Sequence, residues 1–200
     1  MFHVKLWSEI AESAGFALDE TQIGLLESYR DWLRTEAIPA GGLGPGEEGR
    51  LDARHIADSL LFAWPFSGSP ESVADLGSGV GLPGIPLSIL WPETRVELID
   101  RSGKRVDLAR RACRVLGLNN VETHLGDLTG VGRSFPAIVS RATMPAHRLA
   151  PYTRNLLQPG GLAVIGGSWT SEPDEPDWET MQIPAEMLDR AVWLLIMRRQ

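Results

Sequence analysis

The stretch "VADLGSGVGLPGIP", residues 73–86, decides the fold. It opens on a short apolar run, passes through a glycine-rich middle and leads into "GIPLSIL", which reads as a helix. A strand feeding a glycine turn and then a helix is the start of a βαβ unit. Its glycines fall into two registers. Gly77, Gly79 and Gly81 form G-x-G-x-G led by Asp75, whereas Gly79, Gly81 and Gly84 form G-x-G-x-x-G. Either register gathers backbone N–H groups at the positive end of a helix dipole, suited to a negatively charged ligand group.

The same alternation continues downstream. "SVADLG", "RVELID", "VETHLG", "FPAIVS" and "GLAVIGG" read as strands, with helices over 84–90, 103–116 and 143–157 between them. Repeated βα units imply a parallel sheet covered on both faces. "WETMQIP" and "AVWLLIMRR" are two more strand-like runs joined by a short link, which predicts an antiparallel ending. "SEPDEPDWE", 171–179, is an acidic, proline-containing connector and reads as a solvated loop. Upstream, Leu6, Ile10, Ala14, Ile23, Leu26, Tyr29 and Leu33 lie at helical spacing, which predicts two amphipathic helices over 5–37 broken near Gly15. "IPAGGLGPGEEG", 38–49, is a loop by composition, and "LDARHIADSLLFAW" is a helix stopped by Pro65. The expected class is therefore α/β. A helical cap over residues 1–66 joins a Rossmann-like unit over 67–200 in one compact body, its sheet mostly parallel with an antiparallel C-terminal strand.

Composition narrows the function. The chain is 43% hydrophobic and 22% charged over 200 residues, as in an ordinary globular protein. No window approaches the roughly 18 uncharged apolar residues of a membrane span, and "MFHVKLWSEIAESAG" mixes Lys5, Glu9 and Glu12 into its apolar residues, unlike a secretory signal. A cytoplasmic protein with no membrane partner is expected. The single cysteine, Cys113, reads as a buried apolar residue. His3, His55, His124 and His147 are scattered without metal-ligand spacing, so no metal is expected. A net charge of −7 argues against sequence-independent nucleic-acid binding, although it leaves room for a local patch. Lys5 and Lys104 are the only lysines; the other basic residues are arginines, and Arg101, Arg105, Arg110, Arg111 and Arg114 share the 101–114 stretch with Lys104. That stretch reads as a solvated charged face or as a contact to RNA phosphates.

Two registers mean two candidate cofactors. Asp100 closes "RVELID" at the distance where either a dinucleotide or an adenosyl ribose would be held, so it does not discriminate. Asp75, two residues before Gly77, does. It matches the acidic opening of an S-adenosylmethionine loop, where it can anchor loop amides, and dinucleotide folds need no carboxylate there. Pro83 and Pro86 flank Gly84 and remove N–H groups a pyrophosphate would use. The antiparallel ending points the same way.

"DLGSGVGLPGIPLSIL", "LIDRSGKRVDLARRA", "IVSRA" and "RHIADSL", spread over roughly residues 50–165, resemble the RsmG (GidB) family of ribosomal RNA methyltransferases. The resemblance implies a class I S-adenosylmethionine methyltransferase fold and methylation of guanine N7 in 16S ribosomal RNA of the small subunit by a monomeric enzyme. Carried onto this chain, Gly77 and Leu82 would touch the cofactor; the glycine register and its acidic partners add Asp75, Gly79, Gly81 and Asp100 as cofactor contacts. Leu128 and Thr129, following Asp127, would present backbone groups to the adenine, and Arg141 would lie at the mouth of the site. Asp127 and Arg141 are also candidate cofactor contacts, Arg141 through the cofactor carboxylate; Arg141, by way of guanine O6 or a phosphate, His55, Asp58, Arg110 and Arg111 are the candidate substrate contacts. For Arg141, a salt bridge to the N-terminal helix is the competing assignment. The chain departs from the family pattern at three places. "GGLGPGEEG" replaces an Asn-Leu-Thr segment, Asp127 stands where a basic residue is usual, and Gly166-Gly167 replaces Lys-Gly. These keep two alternatives open: a methyltransferase on a small molecule or protein, and a non-catalytic S-adenosylmethionine-binding protein. Guanine N7 carries an in-plane lone pair and no proton, so no general base is required and no catalytic residue is named.

Overall fold

The computed structural model describes residues 2–167, 169, 171–184, 188 and 192–200. Seven strands form a single sheet: β1 (Ser72–Leu76), β2 (Arg95–Asp100), β3 (Val121–Leu125), β4 (Phe135–Arg141), β5 (Leu157–Gly166), β6 (Glu179–Ile183) and β7 (Val192–Arg198). Their order is β3-β2-β1-β4-β5-β7-β6. The pairs β3-β2-β1-β4-β5 are parallel, and β7 runs antiparallel to both β5 and β6. This is the mostly parallel sheet with an antiparallel C-terminal strand that the alternation predicts. What the linear pattern does not convey is that β7 inserts between β5 and β6, so β6 becomes the edge. Ala191, which opens the last strand-like run, lies outside the described residues.

The helices α4 (Gly84–Leu90) and α5 (Gly103–Leu116) match the expected ranges, and α6 covers Ala146–Leu156. The cap begins with α1 (Phe2–Ser13) and α2 (Glu20–Trp32). A capping box starts α2: Asp19 accepts from the Gln22 N–H, and the Gln22 side chain accepts from the Asp19 N–H. The Gln22 amide then donates to the Ile89 carbonyl at 2.8 Å, tying α2 to α4.

The expected helix over 51–64 is the main difference. It divides into a π-helical segment Leu51–Ala57, a short α3 (Asp58–Leu60) and a 3-10 turn Leu61–Ala63, preceded by another 3-10 turn at Pro45–Arg50. Side chains from elsewhere claim its carbonyls. Trp7 Nε1 donates to the Asp52 carbonyl at 3.0 Å, and Arg141 Nη1 donates to the Arg54 carbonyl at 3.0 Å. Such outside donors compete with the i→i+4 ladder and favour the wider turn, which recurs at functional sites.

Both faces of the sheet are covered. On one face Trp7, Ile10, Leu26 and Tyr29 of the cap pack in a continuous apolar cluster with Val73, Leu98, Val139 and Val164 of the sheet and with Ala109 and Cys113 of α5. On the other, Leu149 and Ala150 of α6 pack with Ala74, Leu76, Ile138 and Ile165. Among the described residues no helix is long and apolar enough to cross a membrane.

Candidate functional site

The carboxyl ends of β1, β2 and β4 open into a cleft of about 1220 Å³. This is the position where open α/β sheets bind ligands. The first wall is the turn after β1. Gly77, Gly79 and Gly81 have φ of +72°, +59° and +106°, a region that side chains other than glycine enter only with strain. Space restricts them further at two places. A Cβ on Gly77 would lie 2.3 Å from the Thr143 side chain, and one on Gly81 would lie 2.4 Å from Ile85. On Gly79 a Cβ would meet nothing within 4 Å, so its backbone faces the cleft uncovered.

Three side chains fix this turn. Tyr29 donates its hydroxyl to the Val80 carbonyl at 2.9 Å, and Asp100 Oδ2 accepts the Gly79 N–H at 2.9 Å. Asp75, fully buried, accepts the Gly84 N–H at 2.8 Å through Oδ2. The anchoring expected of Asp75 is therefore exerted on the first residue of α4. This removes the Gly84 N–H from any ligand. Burial pushes the Asp75 carboxyl up to about 7, against the pull of the Gly84 N–H and of the Arg141 charge.

Along the second wall, Asp100 also accepts the Ser102 N–H at 2.8 Å. After β3, Gly126, Asp127 and Leu128 line the cleft. Asp127 caps the 3-10 turn Leu128–Gly130, accepting both the N–H and the hydroxyl of Thr129 at 3.0 Å. Those hydrogen bonds hold its carboxyl below the usual range. The Thr129 N–H, expected to face the adenine, is thus spent within its own turn, and Thr129 does not line the cleft.

The third wall joins the cap to β4. Arg141 lines the cleft, half-buried and hydrogen-bonded to the cap. Besides the Arg54 carbonyl, it donates from Nη2 to His55 Nδ1 at 3.1 Å, and His55 Nε2 lies 2.8 Å from Glu47 Oε2. Burial, followed by the Arg141 charge, pushes His55 down to about 4, so its ring is neutral near pH 7. Asp58 lines the same wall, and its charge favours the cationic form of Arg141 against the cost of burial.

His55, Asp58, Gly77, Gly79, Leu82, Asp100, Asp127, Leu128 and Arg141 therefore meet in one cleft. Arg110 and Arg111 do not. They are exposed on α5, where Arg110 pairs with Asp107 at 2.8 Å and Arg111 with Glu36 at 2.9 Å. The basic rim is formed instead by Arg54, Arg101, Arg105 and Arg148. Sequence reasoning also misses Glu47, Thr143, Tyr152 and Trp169, all in the lining. The signal for one of these lies in the sequence, since Tyr152 stands four residues after Arg148 on the helix that follows Arg141. Ala142, also in the lining, has φ +52°, a strained value for a residue with a side chain. Among the described residues no cluster of three or more His, Cys, Asp or Glu is placed to hold a metal. Cys113 is buried and its thiol is pushed up to about 12, which keeps it protonated.

A family model described as rRNA small subunit methyltransferase G matches residues 22–182. The Ribosomal RNA small subunit methyltransferase G of Acidothermus cellulolyticus is 36% identical over 140 residues, covering 70% of this chain and 63% of its own length. That of Chlorobium luteolum is 34% identical over 175 residues, covering 84% and 72%. Among solved structures, the precorrin-6y C5,15-methyltransferase of Geobacter metallireducens superposes with a TM-score of 0.50 at 12% identity, over 72% of this chain and 87% of that one. At that identity the likeness concerns the fold alone.

Proposed function

The chain belongs to the rRNA small subunit methyltransferase G family, and on that premise we propose that it methylates guanine N7 in 16S ribosomal RNA with S-adenosyl-L-methionine as methyl donor. The observation that carries the RNA assignment is the rim of exposed arginines, Arg54, Arg101, Arg105 and Arg148, around one cleft in a chain of net charge −7. Phosphate neutralisation drives RNA association, and here the cations are concentrated where a polyanion must approach.

The residues fit the cofactor. The uncovered Gly79 backbone and the Asp100 carboxylate lie together at the end of β1 and β2, as a ribose and its neighbours require. The cleft, at about 1220 Å³, exceeds the roughly 300–1,000 Å³ of a site for one small ligand, which leaves space for a base beside the cofactor. Gly77, Gly79, Leu82 and Asp100 would hold the cofactor. Asp127 and Leu128 would border its adenine. Asp75 and Gly81 would act by shaping the turn. When bound, the cofactor supplies an electrophilic methyl group on a sulfonium.

What remains for the protein is positioning. Guanine N7 attacks with its own lone pair, so no side chain has to remove a proton. Holding nucleophile and methyl carbon in line supplies the main effect. A guanidinium on N7 itself would occupy the attacking lone pair, and His55 and the Arg54 carbonyl turn Arg141 away from that role. Asp58, on the same wall, offers negative charge to a purine that becomes cationic as it is methylated. The enzyme is read as a cytoplasmic monomer.

Incubation with methyl-labelled S-adenosylmethionine and, in parallel, naked 16S RNA, intact small subunits or a metabolite extract tests the proposal. Label in a guanine of the RNA is the expected result. Label in another molecule would move the assignment to a small-molecule or protein substrate, and S-adenosylhomocysteine binding without any transfer would leave a non-catalytic binding protein.

A further inference from the structure

The cap turn Pro45–Arg50 places one carboxylate in the cleft wall, and neither the cofactor nor the methyl transfer calls for it. Glu47 is half-buried. Its Oε2 lies 2.8 Å from His55 Nε2, and its Oε1 lies 3.4 Å from Arg50. His55 is 7% exposed, and its other ring nitrogen faces the Arg141 guanidinium at 3.1 Å. The proton positions follow from the partners. A guanidinium only donates, so Nδ1 must accept; a carboxylate only accepts, so Nε2 must carry the proton. The two contacts thus select one tautomer of a neutral ring.

We propose that Glu47 is a positioning residue: through His55 it fixes the Arg141 guanidinium so that its remaining N–H groups meet an anionic group bound in the cleft. The inference rests on the proposed function, which supplies two sources for that group, the carboxylate of the cofactor and a phosphate of the RNA. Without the Glu47 carboxylate the Nε2–H becomes a buried donor lacking an acceptor. Moving the proton to Nδ1 relieves that cost, but a donor then faces the donors of Arg141 and expels the guanidinium. An amide at position 47 avoids this, because its carbonyl oxygen accepts the Nε2–H as the carboxylate did.

Calorimetric binding of S-adenosylhomocysteine and the KM for RNA are measured for wild type, Glu47→Ala, Glu47→Gln and Arg141→Ala, and for the Glu47→Ala/Arg141→Ala pair. The expected loss for Glu47→Ala is about ten-fold, the scale of one charge-assisted hydrogen bond. Glu47→Gln should restore most of it, and Glu47→Ala should add nothing once Arg141 is gone. A loss in S-adenosylhomocysteine affinity identifies the cofactor carboxylate; a loss confined to the RNA KM identifies a phosphate. Equal losses in the Ala and Gln variants, additivity in the double variant, or no loss at all would overturn the positioning role. Failure of the wild type to bind S-adenosylhomocysteine would instead sink the proposed function, so the two failures are distinguishable.

Discussion

Asp75 and His55 are two titratable groups sealed near the same cleft, and burial shifts them in opposite directions. Asp75 rises from 3.8 to about 7. Between those values the folded chain holds a proton that the unfolded chain has released, so this residue makes stability fall as pH rises. His55 drops from 6.5 to about 4. Here the unfolded chain holds the extra proton, and stability rises with pH over that window. The two slopes offset each other between about 4 and 6.5. Asp75→Asn keeps an acceptor for the Gly84 N–H but cannot titrate. Its stability relative to wild type, measured by urea unfolding, should therefore increase by on the order of 3 kcal/mol between about pH 4 and pH 7. Parallel curves for the two proteins would show that the Asp75 carboxyl is not displaced. The spacing of Asp75 to Gly77 is legible in one dimension, and so was its anchoring role. Its partner was not, because what makes Gly84 obligatory is the approach of Leu98 Cδ2, 2.3 Å from where a Cβ would stand, on a neighbouring strand. Glu47 was still less legible: it sits in a glycine-rich loop, and its meaning comes from His55 and from Arg141 at the far end of β4.

At the scale of elements, period and turn chemistry conveyed most of the sheet, since parallel strands buried on both faces read as continuous apolar runs. The segment 51–63 escaped that logic. Its apolar pattern is helical, whereas its hydrogen bonding answers to Trp7 and Arg141, which no local window contains. Helix α5 carries a related lesson. Its arginines look equivalent along the sequence, yet Arg105, with Arg101 just before the helix, lines the cleft, while Arg110 and Arg111 are paired with carboxylates elsewhere. If RNA enters over the cleft rim, Arg101→Glu/Arg105→Glu should lower the salt dependence of RNA binding by about two phosphate contacts. Arg110→Glu/Arg111→Glu should leave both that slope and S-adenosylhomocysteine affinity within about two-fold of wild type, since exposed pairs contribute little. Filter binding across a salt series decides it, and an equal drop for both double variants would extend the RNA footprint along the whole helix.

At the scale of the molecule, the cap and the sheet share one apolar cluster and one cleft. Trp7 and Tyr29 are fully buried against side chains of the sheet face, and the cap also supplies Glu47, His55 and Asp58 to the cleft. Two layers that bury the same surface cannot separate without exposing it, and the cost grows with the apolar area involved. We therefore expect residues 1–66 and 67–200 to unfold as one cooperative unit. Trp7→Ala removes a large side chain from the shared cluster and should cost about 3 kcal/mol or more, lowering a single thermal transition without splitting it. S-adenosylhomocysteine, bound to the folded state alone, should raise that same transition by mass action. Cap and sheet amides should gain hydrogen-exchange protection together. A second calorimetric peak in Trp7→Ala, or ligand protection confined to the sheet, would mean that the cap is a separable appendage and that the cleft wall it carries is not fixed by the fold.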